Sequence, residues 1–209
     1  MTSSGPTAAA LPVEHHEART GEFARNHELD GVLRTLSQVL APAADASAQR
    51  WLAPTRPMVL IVGPPRCGST YLLQRLAATG TFGYPSNVVA RFAAAPYVGA
   101  VAHRLLFDPE LDYRGEMSPE LALDDQSTLG KTVGAVNVNE FWSAWRPFLP
   151  DTGADEFTPR ELDRIDGAGL QSALAGLEAG FDRPIALKAQ LLSFPAELLA
   201  ELFPTALLV

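Results

Sequence analysis

The segment from Met58 to Leu76 constrains the fold more than any other part of the chain. Five apolar residues, Met58 to Val62, run directly into the loop Gly63-Pro64-Pro65-Arg66-Cys67-Gly68-Ser69-Thr70, and a helical pattern begins at Tyr71. An uninterrupted apolar run bounded by Gly and Pro is typical of a buried parallel strand. The segment therefore predicts a strand, a tight loop and a helix N-terminus within an α/β fold that has a parallel sheet.

The loop at the start of the predicted helix is suited to holding an anion. The first turn of a helix has unpaired N–H groups and the positive end of the helix dipole. Ser69 and Thr70 add hydroxyl donors, and Arg66 adds a planar cation that matches phosphate oxygens. We therefore predict a phosphate site formed by Pro65, Arg66, Cys67, Gly68, Ser69 and Thr70.

The spacing of Gly63 and Gly68 is that of a nucleotide-triphosphatase P-loop, in which Lys and then Ser or Thr follow the second Gly. Here Ser69 replaces the Lys that reaches the β- and γ-phosphates. This replacement weakens a triphosphate site but leaves donors for one phosphate. A nucleotide kinase or NTPase-like protein remains the alternative, although it also needs an acidic magnesium ligand at a strand end, and the sequence shows no obvious one.

A Pro-Arg-small-Gly loop followed by two hydroxyl residues resembles the loop of PAPS-dependent sulfotransferases that holds the 5′-phosphate of 3′-phosphoadenosine 5′-phosphosulfate (PAPS). Three further segments are similar to a bacterial subgroup of that family, so that the resemblance covers roughly residues 56–209. They are Thr79–Tyr97, Asn139–Trp145, and Pro184–Lys188 followed by Phe203–Ala206. The resemblance implies a P-loop-like three-layer fold and transfer of a sulfuryl group from PAPS to a hydroxyl of a small molecule or glycan.

The resemblance also suggests two catalytic residues. Lys188 ends an apolar strand, and in the resembling enzymes the Lys at this position contacts the transferring sulfuryl region. Glu140 is the nearest carboxylate within a matched motif and is our candidate base. Asn139 stands where the subgroup has His, and Gln190 stands where cytosolic sulfotransferases have a His that accepts a proton.

Other candidates allow two interpretations. The aromatic residues Phe141, Trp142, Trp145 and Phe148 either line an apolar acceptor pocket or pack in the core. His103 lies in the expected acceptor region, but a single His there is more often a surface or core residue. Cys67 either has a reactive thiol, as cysteines at helix N-termini often do, or fills a position that needs a small side chain.

The pattern along the chain predicts three parts. Residues 1–26 form a disordered tail, residues 27–57 a helical extension, and residues 58–209 the sulfotransferase-like α/β domain. The extension contains an amphipathic helix from His27 to Leu40, which ends before Pro42. Within the domain, a capping box at Thr158–Glu161 predicts a helix to about Gly180.

The family carries an Arg-Asp-Pro-like motif for the 3′-phosphate after the strand that ends here at Val209. We therefore expect the domain to be incomplete at its C-terminus. We also expect this chain to bind PAPS weakly and to lack transfer activity. A non-catalytic remnant of a sulfotransferase is the third interpretation.

Composition limits the partners. The net charge of −8 and the pI near 5.0 argue against nucleic acid. Cys67 is the single cysteine, which excludes an internal disulfide and a cysteine-based metal site. No apolar run is long enough to span a bilayer, and no secretory signal is evident. We expect a cytoplasmic enzyme that uses PAPS as co-substrate without a metal.

Overall fold

The structure is a computed structural model that describes residues 26–117, 123, 127, 131–151, 157–193 and 195–209. Nearly all of the predicted tail, residues 1–25, lies outside the described residues. The helices are α1 His27–Arg50, α2 Ser69–Ala78, α3 Asn87–Arg91, α4 Pro96–Phe107, α5 Trp142–Trp145, α6 Pro159–Leu162, α7 Gly167–Phe181 and α8 Ala196–Leu202. The strands are β1 Val59–Ile61, β2 Ala186–Lys188 and β3 Leu207–Leu208. The prediction of an α/β fold with a parallel sheet is confirmed.

The three strands form one parallel sheet in the order β2-β1-β3. β1 is the central strand and is buried along its whole length, as its continuous apolar run predicts. Ile61 at its end pairs with Lys188 at the end of β2. The carboxyl ends of these two strands therefore lie side by side, at the edge where the 63–70 loop leaves β1.

β1 is buried on both faces because successive side chains of a strand point to opposite sides. Met58 and Leu60 pack in the larger core with apolar residues of α7, among them Leu177. Val59 and Ile61 pack in a second cluster with residues of α2. The central strand therefore lies between two apolar layers, which fixes where its C-terminal loop emerges.

α1 is longer than predicted, because it continues through Pro42 to Arg50. The prediction that the helix ends before Pro42 is wrong. Pro42 is exposed, so the lost backbone hydrogen bond does not leave a buried group unpaired. Asn26 caps the start of the helix by accepting a hydrogen bond from the Leu29 N–H at 3.0 Å.

The predicted long helix from Thr158 to Gly180 is two helices. The capping box is present, since the Thr158 N–H and hydroxyl both donate to the Glu161 carboxylate at 2.7 Å. The helix that it opens ends at Leu162, however, and Asp166 caps a new helix by accepting from the Gly169 N–H at 2.9 Å. The second cap at Asp166 therefore starts a separate helix.

Candidate functional site

The loop between β1 and α2 takes backbone conformations that few residues adopt. Gly63, Arg66 and Gly68 have positive φ values of 133°, 71° and 88°. Glycine takes such conformations without a steric penalty, whereas Arg66 is held there at a cost of about 1 kcal/mol. The residues from Pro64 to Cys67 are all exposed, so this strained turn faces solvent and is open to a ligand.

α2 begins at Ser69, two residues before the predicted start. Its N-cap is Gly68, which makes no side-chain cap hydrogen bond, and the first helical bond runs from the Leu72 N–H to the Gly68 carbonyl. The N–H groups of the first turn therefore remain for a ligand. Ser69 and Thr70, which begin the helix, are only 5% and 8% exposed.

Lys188 reaches the first turn of α2 from the end of β2. Its Nζ donates to Thr70 Oγ1 at 3.0 Å and to Glu140 Oε1 at 2.7 Å. The Lys188 side chain is 2% exposed and that of Glu140 is 25% exposed. The structure therefore brings together Lys188, Glu140 and the predicted phosphate site, which are far apart in the chain, while the roles of all three stay predictions.

Glu140 is positioned by a turn that Asn139 holds. The Asn139 side chain accepts from the Phe141 N–H at 2.8 Å and donates to Asn87 Oδ1 at 2.8 Å. Phe141 is fully buried and has a φ of 59°, an unusual value for an aromatic residue. Asn139, found where the resembling family has His, thus fixes the backbone on either side of Glu140.

The aromatic residues of this motif separate into two groups. Phe141 and Trp145 are buried in the core, and Phe148 packs against it. Trp142 is 42% exposed and lies two residues from Glu140. Core packing therefore accounts for most of the motif, and Trp142 is the member whose ring is open to a ligand.

Two side chains that the sequence did not single out as site residues also contact the loop. Gln190 Nε2 donates to Ser69 Oγ at 3.0 Å. Ser193 Oγ accepts from the Gly63 N–H at 2.9 Å and donates to the Gly63 carbonyl at 3.2 Å. Both residues follow Lys188, in or directly after a 3₁₀ turn that begins at Gln190. The sequence presented Gln190 only as a replacement for a His, and it gave no signal for Ser193.

The structure also shows the surroundings of Cys67 and His103, the two remaining candidates from the sequence. The exposed Cys67 carries its Sγ next to Gly63, so close that a Cβ on that glycine would lie 3.1 Å from the sulfur. His103 is buried among aromatic rings and its Nδ1 lies 2.9 Å from Ser86 Oγ. Burial lowers the pKa of His103 to about 4, so its ring is neutral at physiological pH. His103 is therefore a core residue.

Within the described residues, no group of three or more His, Cys, Asp or Glu side chains is placed to hold a metal ion. Nor does any helix in the described ranges have the length and apolar character needed to cross a membrane. Comparison with protein-family models, curated proteins and solved structures finds no match to this chain.

Proposed function

We propose that this chain is a PAPS-dependent sulfotransferase of P-loop-like three-layer fold, located in the cytoplasm. One observation carries the proposal: a buried lysine from a neighbouring strand donates to the first turn of the helix that follows the phosphate-type loop. Lys188, Thr70 and the Arg66 loop gather cationic and neutral donors at one edge of the sheet. Such a set fits the 5′-phosphosulfate end of PAPS.

The sheet topology supports the location of the site. In the order β2-β1-β3, the chain passes from β1 to β2 on one side and then returns to β3 on the other. In open α/β sheets, ligands bind beyond the carboxyl ends of strands where this order reverses. The loop at 63–70 leaves β1 at that end, beside the end of β2.

The arrangement suggests different catalytic roles for the side chains of Lys188 and Glu140. PAPS, when bound, supplies an activated sulfuryl group, and the acceptor oxygen forms a new S–O bond as the S–O bond to the phosphate breaks. Lys188 stabilises the negative charge that develops on the departing phosphate oxygen. Glu140 takes the proton of the attacking hydroxyl.

The acceptor is a small molecule or glycan with a free hydroxyl, and we place it against Trp142. This ring is partly exposed, and the short helix that carries it begins directly after the turn that presents Glu140. An exposed aromatic face two residues along the chain from a carboxylate supplies an apolar surface for a ring and an acceptor for its hydroxyl hydrogen.

Calorimetry tests the proposal by comparing adenosine 3′,5′-bisphosphate, the desulfated product of PAPS, with ATP. We expect tighter binding of the bisphosphate, with no dependence on Mg²⁺, since Ser69 replaces the P-loop lysine. Tighter, magnesium-dependent binding of ATP would support the kinase alternative. Sulfuryl transfer in a radiolabelled-sulfate assay would contradict the non-catalytic interpretation.

A further inference from the structure

The end of β2 and the short segment after it are tied to the loop at 63–70 at three points. Lys188 donates to Thr70, Gln190 donates to Ser69, and Ser193 bonds both the N–H and the carbonyl of Gly63. The segment from Lys188 to Ser193 therefore spans the loop from its first glycine to the first turn of α2. The contacts made by Lys188 and Gln190 are of one kind, because in each a nitrogen donates to a hydroxyl oxygen.

The direction of these two hydrogen bonds determines where the hydrogens of the Ser69 and Thr70 hydroxyl groups point. A hydroxyl has one hydrogen to donate and two lone pairs that accept. When Ser69 Oγ accepts from Gln190 and Thr70 Oγ1 accepts from Lys188, each O–H hydrogen turns away from the nitrogen. Within the part of the chain that the structure describes, neither hydroxyl donates to an acceptor. Both are more than nine-tenths buried, where an unused donor is costly.

We propose that Gln190 is a positioning residue that aims the Ser69 hydroxyl hydrogen at a bound 5′-phosphate. The inference rests on the proposed function, because it supplies a specific determinant of that phosphate site. In the orientation that the structure shows, the amide N–H of Gln190 makes the hydroxyl an acceptor toward Gln190 and leaves its hydrogen for the ligand. A carboxylate at position 190 would instead take the Ser69 hydrogen for itself and repel the anion.

A double-mutant cycle measures this role through the affinity for adenosine 3′,5′-bisphosphate. Gln190→Leu should weaken binding about tenfold, because the Ser69 hydroxyl loses its orientation toward a charged group. Ser69→Ala should weaken binding by at least as much. In the Ser69→Ala background, Gln190→Leu should change the affinity less than about twofold, because the hydroxyl that Gln190 orients is gone.

Two further variants complete the experiment. Gln171→Leu is the matched control, because Gln171 Nε2 also donates a hydrogen bond, to the Leu202 carbonyl at 2.7 Å, but does not contact the loop. Its affinity should equal that of the wild type. Gln190→Glu should bind more weakly than Gln190→Leu, and it keeps a polar side chain of the same size should the leucine variant fail to fold.

The outcomes separate this inference from the proposed function. If the wild type binds the bisphosphate but the affinity losses of Gln190→Leu and Ser69→Ala are additive, Gln190 acts only on the structure. Unchanged affinity in both Gln190→Leu and Gln190→Glu would overturn the positioning role of Gln190. A wild-type protein that binds no bisphosphate would contradict the proposed function itself, and this inference with it.

Discussion

Lys188 and Glu140 should depend on each other for stability far more than a surface ion pair does. The Lys188 ammonium is buried, so that removal of the Glu140 charge leaves a cation inside the protein that still donates to the neutral Thr70 hydroxyl. Glu140→Gln should therefore destabilise the protein strongly. Lys188→Met fills a similar volume with apolar atoms and should cost less. The double variant should recover part of the loss caused by Glu140→Gln.

The distance between Lys188 Nζ and Glu140 Oε1 gives an upper bound on the stabilisation from this ion pair. At 2.7 Å and an effective dielectric constant of about 20, the Coulomb attraction is roughly 6 kcal/mol before desolvation is subtracted. Breaking a fully buried pair costs about 3–5 kcal/mol. Because a quarter of the Glu140 side chain remains in contact with solvent, we expect about 2–3 kcal/mol for Glu140→Gln and a coupling energy of about 1–2 kcal/mol.

Urea unfolding of the wild type, both single variants and the double variant measures this coupling. The Arg56–Asp182 pair is the matched control, since both of its side chains are well exposed and its distance is also 2.7 Å. Its coupling should stay below about 1 kcal/mol. Additive effects of the Lys188 and Glu140 substitutions, within about 0.3 kcal/mol, would refute the geometry on which the proposed chemistry depends.

Three other perturbations test separate parts of the molecule. In calorimetry, Arg66→Gly should lower the affinity for the bisphosphate about ten- to a hundredfold. The same variant should be slightly more stable, because glycine suits the φ of 71°. A loss of stability would instead show that Arg66 is a structural residue. His103 has a pKa near 4 when folded and near 6.5 when unfolded, so the unfolded state binds more protons between these values and stability falls as the pH drops through that window. The free energy of unfolding should fall by about 3 kcal/mol as the pH drops to 4, and this fall should be absent from His103→Gln. Equal pH profiles of the wild type and the variant in urea unfolding would contradict this prediction. Pro42→Ala should stabilise α1 by about 2 kcal/mol, seen as a higher melting midpoint, and an unchanged midpoint would show that the helix has adapted to its proline.

The sequence is sufficient to predict a structural feature when all the residues that form it lie in one segment. The apolar run, the Gly-rich loop and the hydroxyl pair predict β1, the turn and α2 because strand burial and helix initiation depend on neighbouring residues. The position of Lys188 at a strand end is predictable for the same reason, and the register with Ile61 shows why that end lies at the loop.

The features that the sequence does not predict depend on contacts across the fold. Gln190 and Ser193 join the site through hydrogen bonds to residues more than 120 positions away, and no local pattern records such a partner. The sequence presents Asn139 only as a missing His, whereas its bonds to Asn87 and Phe141 hold a turn. Pro42 is a misleading signal because an exposed helix tolerates a lost bond that a buried one does not.

The most direct test of the phosphate site is an NMR titration of the protein with adenosine 3′,5′-bisphosphate. We predict that the largest amide shifts fall on Gly68, Ser69 and Thr70, whose N–H groups begin α2, and that Arg66→Gly reduces them at equal ligand concentration. Shifts centred on the groove lined by Arg50 and Trp51, or no shifts at millimolar ligand, would contradict a phosphate site in the loop at 63–70.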